Sequence, residues 1–366
     1  MKKIFYVETN STYFVNNRLE LACNMLNEGY EVHVATMQYS NDDRHIIENG
    51  GIKCHFQNNQ KHSIRNIYEE IRKVDPDIIH VFTINASAKL GIFLLRHKKS
   101  KVLFSITGLG YAFISKSLYA KTIRVMLKIL IPMLNAKHGL KFIFQNEDDK
   151  KIFINKYKLK PSQHFLILGS GVNLDKFYPS ATTNNDVPKV LFVGRLLRDK
   201  GIYEFIEASK IICQREIPAK FIIAGFLDKR NPASLSEIDL QAIKKMPFFE
   251  YKGYVKDINL LLREVDIACL PSYREGLSKF LIEAGASGLP IITTNVPGCR
   301  EVVENGKNGF IVPVKDSAAL SEAIAILCSD KKKRERMGEA SRMMIENFFS
   351  MDVVIKNIMN VYKSFC

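Results

Sequence analysis

The sequence predicts an α/β protein made of two doubly wound, Rossmann-like domains. Three observations predict it. Short runs rich in β-branched and aromatic residues recur along all 366 residues, each followed by an amphipathic segment of helix length. Several runs are almost continuously apolar, as in Ile78-Ile79-His80-Val81-Phe82 and Phe221-Ile222-Ile223-Ala224-Gly225. Such runs mark parallel strands buried on both faces. The series is also told twice, broken by a Gly- and Pro-containing stretch at 169–179 and a polar run at 180–186 that read as a linker.

Taken in order, the first domain has expected strands at 3–8, 31–36, 52–56, 78–83, 101–107, 141–146 and 165–170. The second has them at 189–194, 220–225, 248–253, 267–272, 289–294 and 309–313. The domains are placed at 1–172 and 173–349, and residues 351–365 form a last helix whose packing partner the sequence leaves open. Lys2 and Lys3 are followed by only four uncharged residues and then Glu8, too short a run for a signal segment, so the chain opens on a strand. No stretch of about 18 apolar residues is free of charge, which argues against a spanning helix. The seven cysteines show no Cys-x-x-Cys spacing. Neither a zinc site nor a disulfide framework is suggested, and a reduced, cytoplasmic setting is expected.

Charge is unevenly placed. Residues 1–180 carry 26 Lys and Arg against 15 acids, whereas the remainder carries 27 against 23. No acid occurs between Asp77 and Glu147, while eleven Lys and Arg do. A one-sided field of this kind suits an anionic partner: phosphate, nucleic acid or a membrane surface. A merely basic, soluble surface is the bland alternative. The aromatic-rich basic strand pattern of RNA-binding modules is missing, and no nucleic-acid partner is expected.

Two loops carry chemistry. Gly194-Arg195-Leu196-Leu197-Arg198-Asp199-Lys200-Gly201 offers cations at a strand-to-helix turn. Pro271-Ser272-Tyr273-Arg274-Glu275-Gly276-Leu277-Ser278-Lys279-Phe280-Leu281-Ile282-Glu283 offers two carboxylates at another. Gly276 favours a turn, with Glu275 on the loop and Glu283 two turns inside the following helix. Phosphates of a ligand lying across that helix start would meet the amides of Gly276 and Leu277. Arg195 and Lys200 would neutralise a pyrophosphate, and Glu275 and Glu283 would accept from hydroxyls. Glu and Gly are also common at strand-to-helix turns, which is the structural alternative for either motif alone. Paired carboxylates also suit glycosidases, but the neighbouring cations argue against that. No Asp-x-Asp stands at a strand end, and Asp148-Asp149 follow Asn146-Glu147 at a helix start, where acids suit the dipole. No metal is expected.

Glu275-x7-Glu283, Gly194-Arg195 with Asp199-Lys200-Gly201, and Asn295-Val296-Pro297-Gly298-Cys299-Arg300-Glu301 with Asn308-Gly309-Phe310 resemble retaining glycosyltransferases of family 4. The resemblance is closest to the capsule and O-antigen branch. It extends through Asn231-Pro232-Ala233-Ser234 and Gly253-Tyr254, and to Ile106-Thr107-Gly108-Leu109-Gly110-Tyr111 and Gly169-Ser170-Gly171-Val172 in the first half. It implies the GT-B fold, two doubly wound domains facing across a cleft, with the last helix (350–366) crossing back onto the first domain. Carried over residue by residue, Gly194, Arg195 and Lys200 hold the diphosphate of a UDP-sugar. Glu283 takes the ribose and Glu275 the transferred sugar. Backbone near Tyr254 faces the base, and Gly276 and Leu277 belong to the same donor site. Catalytic weight would fall on Glu275, Arg195 and Lys200, with no cofactor beyond the donor substrate. The loop 297–301 and Asn308-Gly309 read as structural.

The first half departs from the family pattern. Thr9-Asn10-Ser11-Thr12 replaces the usual Gly-Gly turn, Thr107 stands where histidine is frequent, and Phe82 does likewise. His80 is therefore read as structural or as a supporting donor, and Thr107, Gly108 and Gly110 as lining the acceptor side of the cleft. In the segment 117–132, Lys121, Arg124 and Lys128 fall at i, i+3 and i+7 on one stripe of an apolar helix. Such a helix can lie on an anionic bilayer; the alternative is an ordinary domain helix with one solvated stripe. The acid-free field, and the polyprenyl-diphosphate-linked acceptors of the resembling branch, favour a peripheral enzyme on the cytoplasmic face of the membrane. The expected reaction moves a hexose or N-acetylhexosamine, first of all GalNAc, to an undecaprenyl-diphosphate-linked saccharide. A GT-B-fold sugar-nucleotide epimerase and a non-catalytic basic nucleotide-binding protein remain the alternatives.

Overall fold

A computed structural model of the chain describes residues 1–55, 63–97, 100–109, 113, 117–180, 186–228, 231 and 233–365. Two compact units divide it. Unit 1 is Met1–Gly171 with Met351–Cys366, and unit 2 is Val172–Ser350.

Unit 1 holds a seven-stranded parallel sheet. Its strands are β1 Lys3–Asn10, β2 Glu31–Gln38, β3 Lys53–Cys54, β4 Ile78–Phe82, β5 Lys101–Ile106, β6 Lys141–Phe144 and β7 His164–Leu166. They are ordered β3-β2-β1-β4-β5-β6-β7. Unit 2 holds a six-stranded parallel sheet of β8 Lys189–Val193, β9 Lys220–Ala224, β10 Phe249–Gly253, β11 Ile267–Leu270, β12 Ile291–Thr294 and β13 Gly309–Val312. Its order is β10-β9-β8-β11-β12-β13. In each sheet the winding reverses once, between β1 and β4 and between β8 and β11. The crevice outside the carboxyl ends at such a reversal is where open α/β sheets take ligands.

Several strands stop short of the expected bounds. β11 ends at Leu270, before Pro271, and β12 starts at Ile291, after Pro290, because proline lacks the N–H that a central strand donates. β7 covers three residues rather than 165–170. Both faces of the unit 1 sheet are covered. Phe5, Val7, Ile79, Val81 and Phe104 pack on one side, and Ile4, Tyr6, Ile78, Phe82 and Leu103 on the other.

The last helix, Met351–Lys363, joins unit 1. Val354, Ile358 and Tyr362 pack with Tyr6, Phe14 and Phe82. The Tyr362 hydroxyl lies 3.2 Å from that of Tyr6 and 2.7 Å from His80 Nδ1. His80 Nε2 meets Ser105 Oγ at 2.7 Å. The imidazole is wholly buried and spends both nitrogens inside the unit, and burial drives its pKa well below the usual histidine value. It sits in mid-strand, paired with Tyr6 across the sheet, rather than at a strand end.

Candidate active site

The loops after β8 and β11 meet at the reversal point of unit 2. After β8 the chain runs through Gly194 and Arg195 into a short turn, Arg198–Lys200, closed by Gly201. Gly201 sits at φ +77°, and a Cβ there would fall 2.0 Å from the Pro271 carbonyl oxygen, so only glycine lets the two loops approach. The approach is tied by backbone: the Tyr273 amide donates to the Asp199 carbonyl at 2.8 Å.

Lys200 and Glu275, 75 residues apart in sequence, are thereby brought together, Nζ to Oε1 at 2.5 Å. Ser272 Oγ lies 2.9 Å from the same oxygen. Neither side chain of the ion pair is more than about one-fifth exposed. Arg195 turns to another acid, donating from Nη1 to Asp228 Oδ2 at 3.2 Å, in a more open setting. Both expected phosphate cations therefore carry a carboxylate partner. Sequence reasoning missed Ser272 and Asp228, which share no spacing pattern with the residues they serve.

Glu275 is held by the loop after β12. Its amide donates to the Pro297 carbonyl at 3.0 Å, and Ser278 N donates to the Gly298 carbonyl at 2.8 Å. Gly298 stands at φ +82°, and a Cβ would come 2.5 Å from the Glu275 carbonyl carbon. Glu301 Oε2 closes this loop by accepting from Gly298 N at 2.7 Å.

The helix carrying Glu283 starts later than expected. It spans Lys279–Ala286, with Ser278 as its cap, accepting from Leu281 N. Gly276 and Leu277 precede the cap, so the amides at the helix start are those of Lys279 and Phe280 rather than those two. Glu283 lies just past the first turn, not the second. It is buried, with Lys279 Nζ 3.4 Å away, and desolvation raises its pKa against the pull of Lys279 and Lys176. Tyr254, beyond the end of β10, is 66% exposed and stands edge-on to Phe226 with ring centres 6.1 Å apart. The two rings offer an open aromatic face beside the β8 and β9 loops.

In unit 1, Thr107 and Gly108 follow β5 and are partly exposed, and Gly110 lies outside the described residues. The buried carboxylate of Asp149 accepts from Leu109 N at 3.0 Å, and its own amide donates to Asn146 Oδ1 at the helix cap, so this acid holds the loop. Among the described residues no group of three or more His, Cys, Asp and Glu is arranged to hold a metal ion.

Lys121, Arg124 and Lys128 lie on the helix Leu118–His138, whose inner face buries Ile123, Leu127, Leu130 and Leu134. Lys121 and Lys128 are exposed and Arg124 is half-buried. Beside this stripe runs an apolar row, Leu118, Val125, Ile129 and Met133, each at least half exposed. No helix among the described residues is long and apolar enough to cross a membrane.

Residues 173–344 match the model of the family described as glycosyl transferases group 1, and residues 3–131 match one described as glycosyl transferase 4-like. A Campylobacter jejuni protein named N,N'-diacetylbacillosaminyl-diphospho-undecaprenol alpha-1,3-N-acetylgalactosaminyltransferase is 31% identical over 263 residues, 68% of this chain and 67% of that protein. The chain belongs to the group 1 glycosyltransferases. Among other relatives of this group 1 glycosyltransferase, the Staphylococcus aureus capsular polysaccharide biosynthesis glycosyltransferase CapM is 34% identical over 50% of this chain. That match spans 47% of CapM, about half its length. A solved structure of Anabaena HepE in complex with UDP and glucose superposes with a TM-score of 0.80 at 17% identity, covering 100% of both chains. A glycosyltransferase from Rickettsia africae gives 0.80 at 20% identity, over 100% of this chain and 98% of that one. These likenesses show the GT-B fold of the group 1 glycosyltransferase: two Rossmann-like parallel sheets.

Proposed function

We propose that this glycosyltransferase moves a hexose or N-acetylhexosamine, GalNAc first among them, from a UDP-sugar to an undecaprenyl-diphosphate-linked saccharide in capsule or O-antigen assembly, with retention and without a metal. The observation that carries the reading is the pairing of Lys200 with Glu275, and of Arg195 with Asp228, at the reversal point of unit 2. Two cations already seated beside the ligand crevice are ready to exchange a carboxylate for the donor diphosphate. They gain charge-assisted hydrogen bonds as the leaving group takes on negative charge. Once Lys200 turns to phosphate, Glu275 keeps Ser272 Oγ and is free to accept from a sugar hydroxyl. Buried Glu283 serves the ribose, and the open face of Phe226 and Tyr254 serves the base.

Relatives support the acceptor class. One is the Campylobacter protein above; another is an Escherichia coli protein named UDP-Gal:alpha-D-GlcNAc-diphosphoundecaprenol alpha-1,3-galactosyltransferase, 26% identical over 82% of this chain. The basic helix with its exposed apolar row supports attachment at an anionic membrane face, where such an acceptor resides.

A panel of radiolabelled UDP-sugars, run with and without lipid-linked saccharide, tests the reading. Transfer to lipid from one UDP-sugar is expected; sugar-nucleotide turnover without an acceptor would mean an epimerase instead. EDTA is expected to leave the rate within about twofold, since fixed cations take the role a metal would have. Loss of transfer with EDTA, restored by Mg²⁺ or Mn²⁺, would overturn the metal-free mechanism.

A further inference from the structure

The reversal point of unit 1, between β1 and β4, carries a cation that the donor site does not use. Arg18 joins the helices Ser11–Asn17 and Leu19–Asn27. Only 6% of it is exposed. Its guanidinium lies 4.4 Å over the ring of Phe82, the last residue of β4. Both of its hydrogen bonds leave from Nη1, to Ser170 Oγ at 2.7 Å and to the Asn17 carbonyl at 3.3 Å. Both acceptors are neutral, and among the described residues it forms no ion pair within 4 Å. Nε is buried without a partner.

Such an arrangement is costly as it stands. A buried cation needs a counter-ion and a full set of acceptors. The carboxylate that interacts with it electrostatically is Glu8, whose Oε1 already accepts from Thr9 N at 2.7 Å and Thr9 Oγ1 at 3.0 Å. Burial also raises the Glu8 pKa, which weakens it as an anion. The edge left over on Arg18, Nε–H with Nη2–H, presents two parallel donors, the fork that matches two oxygens of one phosphate. Stacking on Phe82 fixes its plane. A second mark lies at the same end of β4. Thr83 stands at φ +72°, a conformation that strains a β-branched residue.

We infer that Arg18 anchors a second anion site, within unit 1 at the carboxyl ends of β1 and β4, that takes the diphosphate of a polyprenyl-diphosphate-linked acceptor. This rests on the reading of the chain as a lipid-linked saccharide transferase. The donor diphosphate is the other source of the same chemistry, and it is served in unit 2 by Arg195 and Lys200.

The test uses the full chain carrying Arg195→Ala and Lys200→Ala, so that the donor cations contribute nothing. Farnesyl diphosphate, farnesol and UDP are titrated by calorimetry, with thermal melts in parallel. Farnesyl diphosphate is expected to bind at least about tenfold more tightly than farnesol and to raise the melting temperature. Adding Arg18→Gln is expected to weaken it by at least about 30-fold, the scale for removing one side of a buried charged pair. Adding Arg18→Lys, which keeps the charge and loses the fork, should fall between. If Arg18→Gln does not melt cooperatively, the lysine variant decides: affinity equal to its parent overturns the site. So does a failure of farnesyl diphosphate to bind the parent. In the chain with Arg195 and Lys200 intact, Arg18→Gln should leave UDP affinity within about twofold. A loss of UDP binding matching that of farnesyl diphosphate would place Arg18 with the donor and overturn the acceptor assignment. Sugar transfer is measured separately, so the function and this site fail independently.

Discussion

The two reversal points keep their arginines differently. In unit 2, Arg195 and Lys200 sit on loops and rest against Asp228 and Glu275. In unit 1, Arg18 is buried against Phe82 with two neutral acceptors and a fork edge unused. A partly exposed ion pair has a small net energy, because water screens the attraction and competes for both partners. It is therefore a reversible store of charge, easily exchanged for a substrate phosphate. A buried cation cannot be exchanged in that way; Glu8, weakened as an anion by its own burial, offsets the desolvation of Arg18 in part, and an arriving anion would offset the rest. On the function and the anion site proposed above, unit 2 would trade partners during turnover and unit 1 would hold one.

Four tests by substitution can break or sharpen that contrast. The largest effect should lie in unit 1 and leave unit 2 untouched. Replacing Lys121, Arg124 and Lys128 together by Glu should weaken binding to anionic vesicles by more than about 3 kcal/mol, at about 1 kcal/mol per basic residue. High salt should mimic it, and UDP-sugar affinity should stay put. Co-sedimentation beside donor titration reads both, and equal vesicle binding by the two proteins would reduce this helix to an ordinary core element.

Next come the exchangeable cations. Lys200→Ala or Arg195→Ala should lower turnover by at least about 100-fold, as for other fixed groups that stabilise developing charge. The protein should stay folded, since the loop 194–201 that carries both is held by backbone bonds. Wild-type rates in either folded variant would remove the donor site from this loop.

Gly298→Ala should be smaller and structural at root. The new methyl group needs the space of the Glu275 backbone at a left-handed φ, which costs on the order of 1–3 kcal/mol. Urea midpoints should fall and sugar transfer with them. An unchanged midpoint would mean that the loop after β12 does not position Glu275.

The smallest effect concerns Glu283. Burial raises its folded-state pKa, so the folded chain holds this proton more tightly than the unfolded one. That contribution to stability is full below the ordinary carboxylate range and is lost as pH rises through the folded value. Glu283→Gln should therefore raise the melting temperature by about 2–4 °C at pH 7 and by nothing near pH 4, while weakening UDP binding. A lower melting temperature at pH 7 would show that Lys279 more than offsets the burial.

Much of this was legible in the chain. Each of the thirteen expected strand segments overlaps a described strand, because continuous apolar runs leave a parallel strand few alternatives. The loops bearing Arg195, Lys200 and Glu275 were legible from glycines and charge. The start of the Glu283 helix was not: Gly276 drew the expectation forward, while Ser278 caps the helix and the loop after β12 holds the residues before it. His80 could be read as structural, yet its partner Tyr362 lies 282 residues away.

By itself, then, the sequence determined the local matter: which segments are strands, where turns carry cations or acids, and that one helix of the first half is basic and apolar at once. Only the tertiary structure decided who neutralises whom. Lys200 meets Glu275 because β8 and β11 are neighbours at a reversal, and Arg195 meets Asp228 because β8 and β9 are neighbours. Arg18, one ordinary residue among 53 cations in the chain, became a buried fork because two short helices and the end of β4 close around it. Strand order is set by the summed packing of whole elements, and no local spacing records it.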